Sequence, residues 1–182
     1  CLRFGAGLAT LADLRERSGD DLRDCRALAE NLSTLDADVA RAEISRMRSS
    51  YDEARRSRTF EGGAGSLLTT AEQRLMTLRH NFVSFVELGE ACRAMRLALT
   101  TPFTGHHTLF IVDRRNSLGL RADRLARLLY PEVAIRHDLI EDQSLVDWRR
   151  AKQLLNFESE IPATRVLERS TEDLAIPFRA KP

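Results

Sequence analysis

Few side chains in this chain are of a type and spacing that could do chemistry. Arg114-Arg115 and Arg136-His137 each stand where an apolar run ends. Guanidinium and imidazole groups at a strand end can hold an anion through charge-assisted hydrogen bonds. An ordinary solvated side chain is the competing reading for each, and carries more weight, because arginine is mostly exposed in any fold. His106-His107 invites a metal, but neighbours on a strand point to opposite faces and no Asp or Glu is placed to complete a set. A turn pair is the better reading, and no metal site is expected. The glycine-rich stretch 62–66 follows a polar helix rather than a strand, so it reads as a linker and not as a phosphate-cradling loop. No Gly-x-Ser-x-Gly, His-Glu-x-x-His or kinase-like set is present. No catalytic and no cofactor-binding residue is therefore assigned.

The elements that must position the arginines come from a chain of 182 residues. Such a length buries on the order of 70% of its unfolded surface, enough for one well-packed domain and an appendage. With 28 basic and 27 acidic side chains the net charge is +1, so no global field draws the chain to nucleic acid or to a membrane surface. Cys1, Cys25 and Cys92 are odd in number and in no Cys-x-x-Cys spacing, which argues against a disulfide framework or structural zinc. No run is apolar enough to span a bilayer, and no signal-peptide pattern opens the chain. A soluble, cytoplasmic protein is expected. The opening Cys1 without an initiator methionine reads as a fragment.

Periodicity places the elements. From Leu11 to Ala42 the apolar residues Leu11, Leu14, Cys25, Leu28, Leu32, Leu35, Val39 and Ala42 recur at helical spacing, with a break expected at Ser18-Gly19-Asp20 and a second cap at Ser33 or Thr34. This seam reads either as a surface that binds a partner or as a helical insertion folded against its own domain. The insertion carries more weight because the seam ends after few heptads. A short helix over 67–78, with Thr70 as cap, leads to a strand at 83–87, a helix through Leu99 and a strand at 108–112. A helix at 122–129 stops at Tyr130-Pro131. A strand at 133–136, a helix at 148–155 capped by Asp147, and a terminal helix at 164–174 complete the reading.

In that order the landmarks Phe85-Val86-Glu87-Leu88-Gly89-Glu90 with Ala94, Gly105-His106 before an apolar strand, Tyr130-Pro131, and Leu154-Leu155-Asn156-Phe157 carry a likeness. Over residues 83–157 the chain resembles the C-terminal, substrate-binding portion of the NAD-dependent epimerase/dehydratase family, the extended short-chain dehydrogenases. Leu2-Arg3-Phe4 sits where that family closes its nucleotide-binding sheet. Here two glutamates stand for the family's two aspartates, and Asn156 and Phe157 for its Gly-Trp. The resemblance implies an α/β fold, a small sheet with packed helices, preceded by an N-terminal helical segment. The expected division is a strand remnant and helical insertion over 1–61, a linker over 62–66, the α/β substrate-binding part over 67–160, and a tail over 161–182.

The resemblance also implies NAD or NADP as cofactor and a sugar-nucleotide, or a similar small carbonyl or hydroxyl compound, as substrate. Arg114, Arg115, Arg136 and His137 are then the candidates for holding that substrate. The family's glycine turn and Tyr-x-x-x-Lys pair are missing, since Tyr51 and Tyr130 lie four residues before Arg55 and Ala134. Hydride chemistry would need a nucleotide-binding half outside this chain, and self-association is a further expectation. The alternative is a non-catalytic helical module that binds a protein partner.

Overall fold

The computed structural model describes residues 2–4, 8–9, 11–56 and 68–162, with the backbone path alone over 2–4, 8–9 and 11–21. The elements are β1 (Leu2–Phe4), β2 (Leu8–Ala9), α1 (Leu11–Thr34), α2 (Ala37–Arg56), α3 (Thr70–His80), β3 (Val86–Glu87), α4 (Leu88–Thr100), β4 (Leu109–Ile111), α5 (Ala122–Leu129) and α6 (Arg149–Leu155). The fold is α-rich. Among the described residues none of its helices is long and apolar enough to cross a membrane.

Each helix follows from a stripe and a cap. In α1, Leu22, Cys25, Ala29 and Leu32 are buried at three- and four-residue intervals. The helix runs through Ser18-Gly19 without the expected break, since one glycine costs a helix only about 1 kcal/mol. It ends where Ser33 and Thr34 turn their hydroxyls back onto the carbonyls of Glu30 and Asn31, both at 2.7 Å. Asp36, not Ser33 or Thr34, starts α2, taking the Asp38 N–H on Oδ1 at 2.9 Å. Ala40, Ile44, Met47 and Tyr51 then line the buried face of α2. Thr69 rather than Thr70 caps α3, through a reciprocal pair with Glu72. The Glu72 carboxylate also binds Arg46, tying α3 to α2.

Two cores result. The larger joins α1, α2, α3 and α5, with Leu75, Met76, Leu125 and Leu129 fully enclosed. The smaller lies between β3, β4, α4 and α6, filled by Val86, Ala91, Ala94, Leu109, Ile111, Ala151, Leu155 and Phe157.

Among the described residues the expected small sheet is not formed. The strands make two separate parallel ladders of two strands each: Leu2–Phe4 alongside Leu109–Ile111, and Leu8-Ala9 alongside Val86-Glu87. The expected strand at 133–136 is irregular, with Val133 and Ile135 exposed, because Val133 turns back onto the Tyr130 carbonyl and no strand lies beside it. The strand expected at 83–87 shrinks to two residues. Phe82 and Val83 take positive φ (54° and 53°), and Val83 is held there by its N–H on the Leu78 carbonyl at 2.7 Å. The linker at 62–66 and the terminal helix expected at 164–174 lie outside the described residues.

Candidate functional site

The parallel register sets the carboxyl ends of β1 and β4 side by side, the position outside which parallel sheets open their ligand crevices. From Ile111 the chain leaves through Val112-Asp113 into a loop that the sequence shows only as polar. The loop is clamped from two sides. Asp113 N–H donates to Phe85 O at 2.7 Å, and Ser117 gives its N–H (2.8 Å) and its hydroxyl (3.0 Å) to Val83 O. On the other side Ser144 N–H donates to Arg114 O and Asn116 N–H to Asp142 O, each at 2.7 Å, and Arg115 bridges Gln143 in antiparallel fashion. The Asn116 amide fills the centre. Its Nδ2 donates to Leu120 O (2.7 Å) and Asp142 O (2.8 Å), and its Oδ1 accepts from Leu118 N–H (3.1 Å) and Leu120 N–H (3.3 Å).

This clamp presents Arg114 and Arg115 between two open clefts that share them. One, of about 730 Å³, runs toward Arg121, Glu141 and Trp148. The other, of about 640 Å³, runs toward Arg93, Asp113, Lys152, Asn156 and Glu158. Glu158 spans two cations, Arg114 at 3.3 Å and Lys152 at 3.0 Å. The Lys152 hydrogen bond and the nearby Arg114 charge hold its carboxyl below the usual range. Arg115 stands 4.0 Å from Asp142. Arg93 is more firmly engaged: it makes two hydrogen bonds to Glu90 (3.1 and 2.7 Å), donates to Glu158 O and lies over the Phe157 ring at 4.7 Å. Burial pushes the Glu90 carboxyl up, but Arg93 and the Glu160 N–H together bring it below its ordinary value. Arg114 and Arg115 are the guanidiniums free to exchange exposed partners for a ligand.

Asp113, which sequence reasoning passed over as part of a polar turn, is the unusual residue here. It is 2% exposed. Oδ1 accepts the Arg115 N–H at 2.8 Å, while Oδ2, buried, has no hydrogen-bond partner. Burial pushes its carboxyl up to about 6, against the pull of the Arg115 N–H and of the Arg115 and Arg114 charges. The alternation along β4 does not single it out, because the strand ends at Ile111 and Val112 is buried as well as Asp113.

The four residues expected to hold substrate do not converge. Arg114 and Arg115 are brought together. Arg136 and His137 lie in the exposed run 131–138, outside both clefts, with His137 close enough to Asp147 to help lower that carboxyl after the dominant Arg149 hydrogen bond. His106 and His107 belong to an exposed turn in which His107 Nε2 contacts Thr104 O at 2.8 Å. Among the described residues no cluster of His, Cys, Asp and Glu is grouped to hold a metal ion.

Among the described residues, none is arranged to hold a nicotinamide cofactor. Gly89 lies inside α4, and Gly105 and Gly119, the described glycines at positive φ, sit in separate turns, so none forms a dinucleotide-binding strand–turn–helix. Nor is Tyr130 a phenolate base: its hydroxyl donates to Arg79 O, and burial pushes its pKa up to about 12. Tyr51 shares a hydrogen bond with Thr77 at 3.1 Å. Compared with known proteins, the chain matches no family model, no curated protein and no solved structure.

Proposed function

We propose that this chain is the substrate-side portion of an NAD(P)-dependent epimerase/dehydratase-like oxidoreductase. It acts on a sugar-nucleotide or a similar small carbonyl or hydroxyl substrate, and a nucleotide-binding half supplies the cofactor and the catalytic base. The observation that carries this reading is the bare face of β4. Parallel strands occur almost only with both faces covered, and a two-stranded ladder alone is marginal. In β4, Leu109 and Ile111 are buried against α4 and α6, yet Phe110 between them is 40% exposed. A further layer packed on that face would enclose Phe110 and extend the ladder, and the resemblance over residues 83–157 implies such a layer. Arg114 and Arg115, clamped at the carboxyl end of β4, suit the diphosphate of the substrate.

A cytoplasmic location belongs to the same proposal and agrees with free thiols at Cys25 and Cys92. The alternative of a partner-binding helical module has less support, because Leu22, Cys25, Ala29 and Leu32 of α1 already fill the chain's own core.

The test is a titration of the chain with uridine diphosphate glucose, followed by NMR. Shifts are expected at residues 113–116 and 140–148, and replacing Arg114 and Arg115 together with alanine should weaken binding at least tenfold without loss of helical signal. Absence of binding, or binding indifferent to the double replacement, overturns the reading.

A further inference from the structure

Resting on the reading just given, we propose that Asp113 is a specificity-determining residue. The cleft beside Lys152 and Glu158 takes the sugar of a nucleotide sugar, and Asp113 Oδ2 accepts a hydrogen bond from a sugar hydroxyl while Arg114 and Arg115 hold the phosphates. The starting point is the unpartnered oxygen. A buried acceptor left without a donor is costly, and native structures keep few of them. The cations around Asp113 cannot supply the donor without giving up an existing partner. Arg93 is committed to Glu90, Lys152 and Arg114 to Glu158, and Arg115 stands beside Asp142. The missing donor therefore comes from outside the chain.

The cleft's chemistry selects the kind of donor. Ligand pockets are mostly apolar with a few placed polar groups. This cleft reverses the proportion: charged side chains, Asn156 and Ser159 make up nearly all of its wall. A wall of that kind matches a polyhydroxylated group rather than an apolar one. It opens onto the same two arginines that face the neighbouring cleft, so a phosphate held by them would carry a sugar directly into it. Because Asp113 is 2% exposed, the hydroxyl reaches it when Arg114, half exposed, transfers from Glu158 to the incoming phosphate.

The experiment compares dissociation constants for uridine diphosphate and uridine diphosphate glucose on the full chain, by calorimetry, for the native protein, Asp113→Ala and Asp113→Ser. The serine variant keeps a short side-chain acceptor for the Arg115 N–H and so protects the loop if alanine unfolds it. The native chain should bind the glucosylated ligand about tenfold more tightly, or about 1.4 kcal/mol. In Asp113→Ser that ratio should fall to about one while the affinity for uridine diphosphate stays within about twofold. A native ratio of about one, or a tenfold ratio that survives in Asp113→Ser, overturns the assignment of Asp113 and leaves the substrate-side reading standing. No binding of uridine diphosphate to the native chain overturns both.

Discussion

Replacing Asp113 with asparagine changes how stability depends on pH, and the size of the change follows from the burial of this one carboxyl. In the folded chain its pKa is raised from an ordinary 3.8 to about 6. At 1.36 kcal/mol per pH unit, ionised Asp113 therefore costs the fold about 3 kcal/mol. The sign follows from proton binding. Between pH 3.8 and about 6 the folded state holds the proton more tightly than the unfolded state. Stability is thus greatest below the unfolded value, is lost as pH rises through the folded value, and levels off above it. Most of this, about 2 kcal/mol, falls between about pH 4 and about pH 7.5. Asparagine does not titrate. It keeps an oxygen for the Arg115 N–H and sets a buried amide in place of Oδ2, an offset of about 1–3 kcal/mol that is the same at every pH. Urea unfolding of both proteins across that range should therefore show the variant gaining about 2 kcal/mol on the native chain as pH rises. Repeating the pair in an Asp142→Asn background separates the one carboxylate that acts on Asp113 electrostatically. Two pH profiles that stay parallel to within about 0.5 kcal/mol would refute the reasoning, since a carboxyl so enclosed could not then have a raised pKa.

Three further outcomes are expected. Asn116→Ala removes five side-chain hydrogen bonds in a loop where Asn116 is 1% exposed, and should lower stability by about 2–4 kcal/mol in urea unfolding. Thr69→Ala breaks the reciprocal cap of α3 and should cost about 1 kcal/mol, read as a lower unfolding midpoint at unchanged slope. Burial pushes the Cys25 thiol up to about 12 while Cys92 is exposed, so a maleimide applied to the native chain should label Cys92 and spare Cys25 until denaturant is added, as read by peptide mass spectrometry.

What could be read in advance divides along the range of the interaction that decides it. Helices with a local stripe were legible: the 122–129 helix and the run from Glu87 were placed to within a residue, because Leu125, Leu128 and Leu129, or Ala91 and Ala94, repeat at helical spacing. Caps slipped by one to three residues, Thr69 for Thr70 and Asp36 for Ser33 or Thr34, because several nearby residues can cap and the chain's geometry picks one. The 133–136 segment misled for a different reason. Val133 and Ile135 favour extended backbone, but a strand exists only where another strand lies beside it. Asp113 was illegible as a buried residue, since its burial depends on residues 83–85 and 140–144, which approach from well away along the chain.

The same distinction explains why the structure brings two of the four candidate residues together beside the clefts and leaves the other two apart. A guanidinium recognises an anion strongly when its backbone is already fixed, because the conformational entropy of ordering it has been spent on folding rather than on binding. Arg114 and Arg115 meet that condition: hydrogen bonds to the carbonyls of Val83, Phe85 and Asp142 and from the Ser144 N–H hold the chain on both sides of them. Arg136 and His137 lie in the eight consecutive exposed residues 131–138, outside both clefts. Both pairs look alike as short cationic steps at the end of an apolar run. Only the pair backed by β4 and by Asn116 has its backbone anchored from both sides, and anchoring of this kind depends on partners far along the chain that inspection of the local residues does not reveal.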